Sequence, residues 1–344
     1  MHPAHPSGII PTTRPYLLTG AGGVIGQSLA TALGPGRVVG VVRQGGNLPG
    51  PGIETMTGDV TAPGLGLDPT VRRALADRVG GVIHSAAVTS FTRPPDEIRR
   101  VNTDGTAHAL RLAEEAGVPL HLVSTVYVRQ RGGSAETGRS RAYRESKQAA
   151  EDLVRAARVP WSILRVTVVT GDSRTGATPR FQGIHAAMKS LVTGDAHLVP
   201  VAPGSYLDFL PRDHVAACVL ALLERGATGE HWITAGERAM TIERFVDHCL
   251  RFAGRRGWNV PRPRLVDSEM VHRLILPAFG DSLAADLRKR LELFTDIVGP
   301  LTTDERLPGP APGLPDPPDL GAALDAALDY WGTRVRLVRQ GVRA

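Results

Sequence analysis

Short apolar, β-branched runs alternate with amphipathic stretches through the first 235 residues of the chain. An apolar run bounded by turn residues is the pattern of a strand buried on both faces, whereas apolar positions three and four apart mark a helix with one buried stripe. The runs at 16–19, 37–42, 53–57, 82–84, 120–124 and 161–166 are predicted strands. Helices are predicted at 25–33, 68–79, 96–116 and 142–157. Asp68 stands as N-cap before Pro69 in the second of these. Ile98, Val101, Ala109, Leu112 and Ala113 keep a helical period in the third, which stops at Gly117. Strands and helices in alternation predict an α/β fold, a doubly wound parallel sheet with ligands bound beyond the carboxyl ends of its strands.

Past Thr170 the pattern loosens. Helices are expected near 181–193, 215–223, 241–254, 267–276, 283–297 and 319–337, with a Pro-rich linker at 308–318 (PGPAPGLPDPP). The expected organisation is a Pro-rich, poorly ordered lead-in over 1–15, a dinucleotide-binding-type domain over 16–240, and a small, mostly helical substrate-binding subdomain over 241–344.

Composition narrows the classes. Of 344 residues, 42% are hydrophobic and 22% charged, as in ordinary globular proteins. The N-terminus lacks a basic start and apolar core, and no apolar run approaches a membrane span, so a cytoplasmic protein with no membrane partner is expected. The net charge of +6 comes from basic residues scattered along the chain, without a basic arm or interleaved aromatics. No nucleic-acid partner is therefore expected, and a phosphate-bearing cofactor or anionic substrate suits the field equally well. Cys218 and Cys249 lack the paired spacing of a zinc motif and read as buried small residues, so no metal site is expected. Only Lys147, Lys189 and Lys289 are lysines in a chain that otherwise uses arginine.

Four constellations carry candidate chemistry. The first is TGAGGVIG at 19–26, where Gly20, Gly22, Gly23, Val24, Ile25 and Gly26 join the first strand to the first helix. Glycines there permit a tight turn and close approach of a pyrophosphate to backbone amides at a helix N-terminus, giving the sheet a Rossmann-type reading. The second is the end of the second strand. An acid there would bond the ribose hydroxyls of NAD, but no Asp or Glu lies between Val38 and Ile53, and Arg43 offers a guanidinium to a 2′-phosphate. NADPH is the expected cofactor. The third is YRESK at 143–147, which places Tyr143 and Lys147 one turn apart on one helical face. A phenol beside an ammonium is a proton donor for carbonyl reduction, its pKa expected to be lowered by the cation. The fourth is Ser124-Thr125, where either hydroxyl can bond the same carbonyl oxygen.

Together with GDV at 58–60, HSAA at 84–87, VNTDGT at 101–106, VSTVYV at 123–128 and RVTVVTGDSRTG at 165–176, these motifs resemble extended short-chain dehydrogenases/reductases. More narrowly, the chain resembles the thioester-reductase and fatty-acyl-reductase (male-sterility-type) branch, over roughly residues 15–240. The resemblance implies that Thr125 rather than Ser124 is the catalytic hydroxyl, with Tyr143 as acid and Lys147 as cation. It implies that Asp59 and Val60 flank the adenine, that Ala86 lines the cofactor near the nicotinamide, and that Asn102 is structural or relays protons. The loops at 165–176 and 208–215 would close over nicotinamide and substrate. Relatives dimerise through a four-helix interface, which helices 96–116 and 142–157 could supply as a homodimer.

The chain departs from that branch in having Gln148 where Trp often follows the lysine, and a short loop between Thr125 and Tyr143. No adenylation or carrier domain is expected, so an acyl substrate would arrive on a carrier protein, on coenzyme A or as a small molecule. The function expected is NADPH-dependent reduction of a thioester or aldehyde carbonyl in a biosynthetic, natural-product-like pathway. A ketone reductase, a nucleotide-sugar epimerase or dehydratase, and a non-catalytic NAD(P)-binding sensor are the alternatives.

Overall fold

The computed structural model describes residues 12–90, 93–129, 138–271, 273 and 302–335. Seven parallel strands form the central sheet: β1 (Tyr16–Thr19), β2 (Val38–Val42), β3 (Glu54–Thr57), β4 (Gly81–His84), β5 (Leu120–Thr125), β6 (Trp161–Val166) and, last in the chain, β11 (Gly229–Ile233). Their order is β3-β2-β1-β4-β5-β6-β11, so the chain reverses direction of growth between β1 and β4. Successive side chains on a strand face opposite ways, and both faces here are covered by helices. Leu17, Val82, Leu122 and Ile163 enter one core and Leu18, Ile83, Val123 and Leu164 the other.

On the first face lie α2 (Pro69–Arg78), α4 (Gly105–Ala116) and α5 (Gly138–Arg155). Asp68 caps α2 as expected, accepting from the amides of Thr70 and Val71. On the other face lie α1 (Val24–Leu33) and α7 (Arg212–Glu224), continued by α6 (Gly183–Thr193), α8 (Ile242–Arg255) and α10 (Leu320–Arg334). Cys218 and Cys249 are free thiols buried in this second core.

The predicted helix over 96–116 is interrupted. Its first turn, α3 (Pro95–Arg99), runs through a π-helical turn at Arg100–Asp104 into α4. The strand β11 was not foreseen. Nor were β7 (Val168–Thr170) and β10 (Phe209–Pro211), a parallel pair beyond the end of β6, or the two-residue strands β8 (Leu198–Val199), β9 (Tyr206–Leu207), β12 (Met240–Thr241), β13 (Arg264–Leu265) and β14 (Thr302–Thr303). Of the helix expected at 267–276, a short turn α9 (Ser268–Met270) falls in the described residues. The helix expected at 283–297 and residues 1–11 of the lead-in lie outside them. The Pro-rich linker is laid along the main body: Thr234 donates to the Pro308 carbonyl, Arg225 to that of Pro312 and Arg238 to that of Pro317. No helix among the described residues is long and apolar enough to cross a membrane.

The turn from β1 into α1 is where glycine is required. Gly20 adopts φ +68°, and a Cβ on it would lie 2.7 Å from the Ala86 Cα at the end of β4. A Cβ on Gly26 would run into the Gly20 carbonyl oxygen, and one on Gly22 into the Asn47 carbonyl oxygen. Gly26→Ala is therefore expected to destabilise the fold by about 1–3 kcal/mol through overpacking against rigid backbone. Urea unfolding checks this, and an unchanged midpoint would mean that the turn yields where it is drawn as closed.

Candidate active site

The register of the parallel ladder brings Thr19 opposite His84, and Thr125 opposite Val166, at one edge of the sheet. Beside this edge, α5 presents Tyr143, Lys147 and Glu151 at intervals of four, hence on one face a turn apart. All three are buried, at 8%, 3% and 0% exposure. The Tyr143 phenol shares a hydrogen bond with the Thr125 hydroxyl at the last residue of β5. Its ring lies 6.3 Å from that of Tyr127, nearly parallel, and packs with Ile98. Lys147 Nζ donates to the Val123 carbonyl at 2.9 Å. An ammonium carries three hydrogens, so this bond anchors the head group without exhausting it.

The two adjacent hydroxyls are sorted by their partners. Ser124 donates to Glu151 Oε1 at 2.6 Å, whereas Thr125 serves Tyr143.

Loss of water dominates the electrostatics. Burial pushes the Tyr143 phenol up to about 12, Tyr127 adds to the rise, and the Thr125 hydrogen bond opposes it. Burial pulls Lys147 down to about 8, against the Glu151 carboxylate, which raises it. The expectation of a phenol lowered by the neighbouring ammonium is not met, because burial outweighs the effects that would lower it. The consequence is a phenol that holds its proton at neutral pH, the state a proton donor requires.

The π turn explains how this pair is held. It carries Asn102, buried at 1% exposure, whose Oδ1 accepts from the Val88 amide at 2.8 Å. Its Nδ2 donates to the Val88 carbonyl and to Ser146 Oγ, and Ser146 Oγ donates to the Tyr143 carbonyl. Asn102 thus ties the chain after β4 to the turn of α5 that bears Tyr143. Such bulges recur at functional sites because they displace one side chain from the regular helical register.

The residues expected on the cofactor side fall into two groups. Gly20, Gly22, Gly23 and Gly26 form the turn, Gly23 is the N-cap of α1, and no side chain caps the first amides of that helix. Bare amides above a surface where Cβ atoms are excluded fit a dinucleotide pyrophosphate. Val24 is buried in the core and Ile25 packs against it, so these two support the turn from below. The Ala86 amide donates to Thr19 Oγ1, which also lies 2.8 Å from His84 Nδ1, and the Lys147 charge acts on His84. The glycine turn, Ala86 and the Tyr143–Lys147 pair are therefore contiguous. Farther along the sheet edge, Arg43 is exposed just past β2, and Asp59 is exposed while Val60 is buried just past β3. The Thr61 amide holds the Asp59 carboxyl below its ordinary range, with Arg43 and Arg100 adding to the effect.

The loops expected to close over the site prove partly structural. The Asp208 carboxylate points inward, accepting from the Ala235 and Gly236 amides. Asp213 accepts from the amide and hydroxyl of Ser173, and a Cβ on Gly176 would strike the Ala326 carbonyl of α10. Gln148 bonds Asp152 along α5. The sequence reading missed Glu151 and Arg165. Arg165 is 1% exposed in the middle of β6, bonded to Glu151 through Nε at 3.1 Å and Nη2 at 2.7 Å. A charged residue inside an apolar strand, and an acid one turn past Lys147, were the available signals. Among the described residues no group of three or more His, Cys, Asp or Glu side chains is gathered to hold a metal ion.

Residues 51–219 match the NAD-binding family described as male sterility protein. The isonitrile lipopeptide synthase of Streptomyces coeruleorubidus is 28% identical over 185 residues, covering 49% of this chain and 12% of that protein. The glycine betaine reductase ATRR of Emericella nidulans is 27% identical over 219 residues, covering 59% of this chain and 17% of its own length. The chain thus spans only a small part of the curated relatives it matches. The terminal R domain from the myxalamid PKS-NRPS pathway superposes with a TM-score of 0.72 at 26% identity, over 96% of this chain and 94% of that one. A thiolation-reductase di-domain from an archaeal non-ribosomal peptide synthetase shares the fold, with a TM-score of 0.64 at 18% identity, over 95% and 77% of the two chains. Over residues 51–219 the chain is thus similar to the male-sterility-type NAD-binding family and shares its Rossmann-type fold with reductase domains of the extended short-chain dehydrogenase/reductase kind, which supports an NAD(P)H-dependent oxidoreductase.

Proposed function

We propose that the protein is an NADPH-dependent reductase of a thioester or aldehyde carbonyl on a natural-product biosynthetic route. The observation that carries this reading is the buried Tyr143 phenol, bonded to Thr125 and one turn from Lys147, contiguous with a glycine turn suited to a dinucleotide. Gly20, Gly22, Gly23 and Gly26 hold the pyrophosphate, Asp59 and Val60 flank the adenine, and Ala86 lies toward the nicotinamide. When bound, the cofactor supplies a hydride for the carbonyl carbon.

The chain's own residues manage the oxygen and the proton. Tyr143 and Thr125 hydrogen-bond the carbonyl oxygen, which gains charge as the carbon is reduced. Tyr143, protonated at neutral pH, gives up its phenolic proton to that oxygen. Lys147 holds the nicotinamide ribose and places a positive charge beside the phenolate left behind. A thioester handled this way loses its thiol to give an aldehyde, and an aldehyde gives an alcohol.

Arg43, with no acid between Val38 and Ile53, supports NADPH over NADH. The likeness to the terminal R domain from the myxalamid PKS-NRPS pathway and to part of the isonitrile lipopeptide synthase supports an acyl group delivered on a carrier protein. In this reading residues 16–240 serve the nucleotide and residues 241–344 meet the acyl group.

Two measurements test the reading. Titration with NADPH and NADH should give tighter NADPH binding, and Arg43→Ala should weaken NADPH on the order of tenfold while leaving NADH unchanged. Failure of the wild-type protein to bind either nucleotide contradicts the assignment. Tyr143→Phe should cut NADPH oxidation with acyl-pantetheine thioesters or aldehydes by roughly a hundredfold or more, with nucleotide binding retained. Turnover equal to that of the wild type would remove Tyr143 from the chemistry.

A further inference from the structure

Behind the Tyr143–Lys147 pair lies a cluster of buried charge that the proposed reaction does not use. Glu151 is fully buried, and its carboxylate is engaged from three sides. Arg165 on β6 reaches it through Nε and Nη2, Ser124 on β5 donates to Oε1 at 2.6 Å, and Arg155 Nη2 reaches Oε2 at 2.7 Å. Arg165 also meets Glu230 on β11 at 2.7 Å and lies over the Trp232 ring. Glu230 in turn bonds Arg155, with Arg129 nearby. The outer members are partly exposed and could pair in water, but Glu151 and Arg165, at 0% and 1% exposure, could not.

Packing alone does not account for an acid at this position. An apolar pair would fill the same volume between α5 and β6 without desolvating two charges. What distinguishes Glu151 is its address: one helical turn from Lys147, and bonded to the residue adjoining Thr125.

We propose that Glu151 is a positioning residue: clamped by Arg165 and Ser124, it keeps the Lys147 ammonium charged one turn away and leaves the Thr125 hydroxyl to serve Tyr143. The inference rests on the reading of Tyr143, Lys147 and Thr125 given above. Burial favours the neutral amine at Lys147, and the Glu151 carboxylate opposes it. The other titratable and charged groups around this pair are His84 on β4, Tyr127 after β5, Arg165 on β6, Glu230 on β11, and Tyr143 and Arg155 on α5 itself. His84 is held neutral by burial, its pKa drawn down to about 3, so it adds no charge. Arg165 and Arg155 are cations. Removing the Glu151 charge thus takes away the carboxylate that raises Lys147 and leaves burial, which favours the neutral amine.

The sign follows directly. In Glu151→Gln, Lys147 should lose its proton at lower pH than in the wild-type protein. The lysine count makes this measurable without cofactor or substrate, because the chain has three lysines, Lys147, Lys189 and Lys289. Protein labelled with ¹³C at lysine Cε gives a small set of resonances, of which Lys147 is assigned by its loss in Lys147→Arg. The expected result is a Lys147 midpoint well below that of an ordinary lysine, moving down by about one pH unit or more in Glu151→Gln. Glu230→Gln, at the exposed end of the cluster, should leave it in place.

Glu151→Gln/Arg165→Met removes both buried charges together and guards against misfolding of the single variant. It should show a smaller shift of the same sign. The pH at which NADPH affinity falls should move with the midpoint. A Lys147 midpoint unchanged in either folded variant overturns the inference. A shifted midpoint upholds it, even where the wild-type protein transfers no hydride, a result that would count against the proposed reaction alone.

Discussion

The exclusion of water from Tyr143 and Lys147 is the constraint on which the rest of the site depends. A phenol and an amine side by side in solvent would titrate near their ordinary values and have no reason to act together. At 8% and 3% exposure both are driven toward their neutral forms. Each neighbouring contact is a partial answer to that cost: Thr125 for the phenol, the Val123 carbonyl and the Glu151 carboxylate for the ammonium. Glu151 in turn requires Arg165, since removal of one member of a buried ion pair costs roughly 3–5 kcal/mol. The chemistry of two residues on α5 thus draws on both β5 and β6.

The sheet provides the frame in which these compensations meet. Parallel strands in register end together, so Thr19, His84 and Thr125 arrive at one edge without any loop having to place them. The reversal of strand order between β1 and β4 opens the crevice there, and the glycine turn closes its floor by backbone contact with Ala86. The second core, built from α1, α6, α7, α8 and α10, holds the loops beyond β6 against the C-terminal helix. His248 Nδ1 on α8 pairs with Asp325 on α10 at 2.7 Å in that layer.

Much of this was legible in the sequence, and the exceptions have physical causes. Five of the six foreseen strands announce themselves as apolar runs because both faces of each are buried, and the sixth, β3, is a largely exposed edge strand read from its place before Gly58-Asp59. The seventh, GEHWI at 229–233, does not, because it is an edge strand whose Glu230 serves the arginines of its neighbours. The π turn at Arg100–Asp104 is silent because apolar spacing continues on either side of it, and only the buried Asn102 records the extra residue. Strands of two or three residues are too short to carry a period. Within the site, the i, i+4 spacing of Tyr143 and Lys147 and the glycine spacing were readable, since local geometry determines them. The division of labour between Ser124 and Thr125 was not, because it depends on Glu151 and Arg165 arriving from other elements. The direction of the Tyr143 shift depends likewise on burial, a property of the assembled fold.

The central claim is that a nicotinamide hydride passes to a carbonyl carbon at this site. Incubation of the protein with NADPH deuterated at C4 and an acyl-pantetheine thioester, followed by mass spectrometry of the product, tests it most directly. The account predicts an aldehyde or alcohol carrying deuterium on the former carbonyl carbon. Recovery of unreduced thioester, or of a reduced product without deuterium when both C4 positions are labelled, would contradict it.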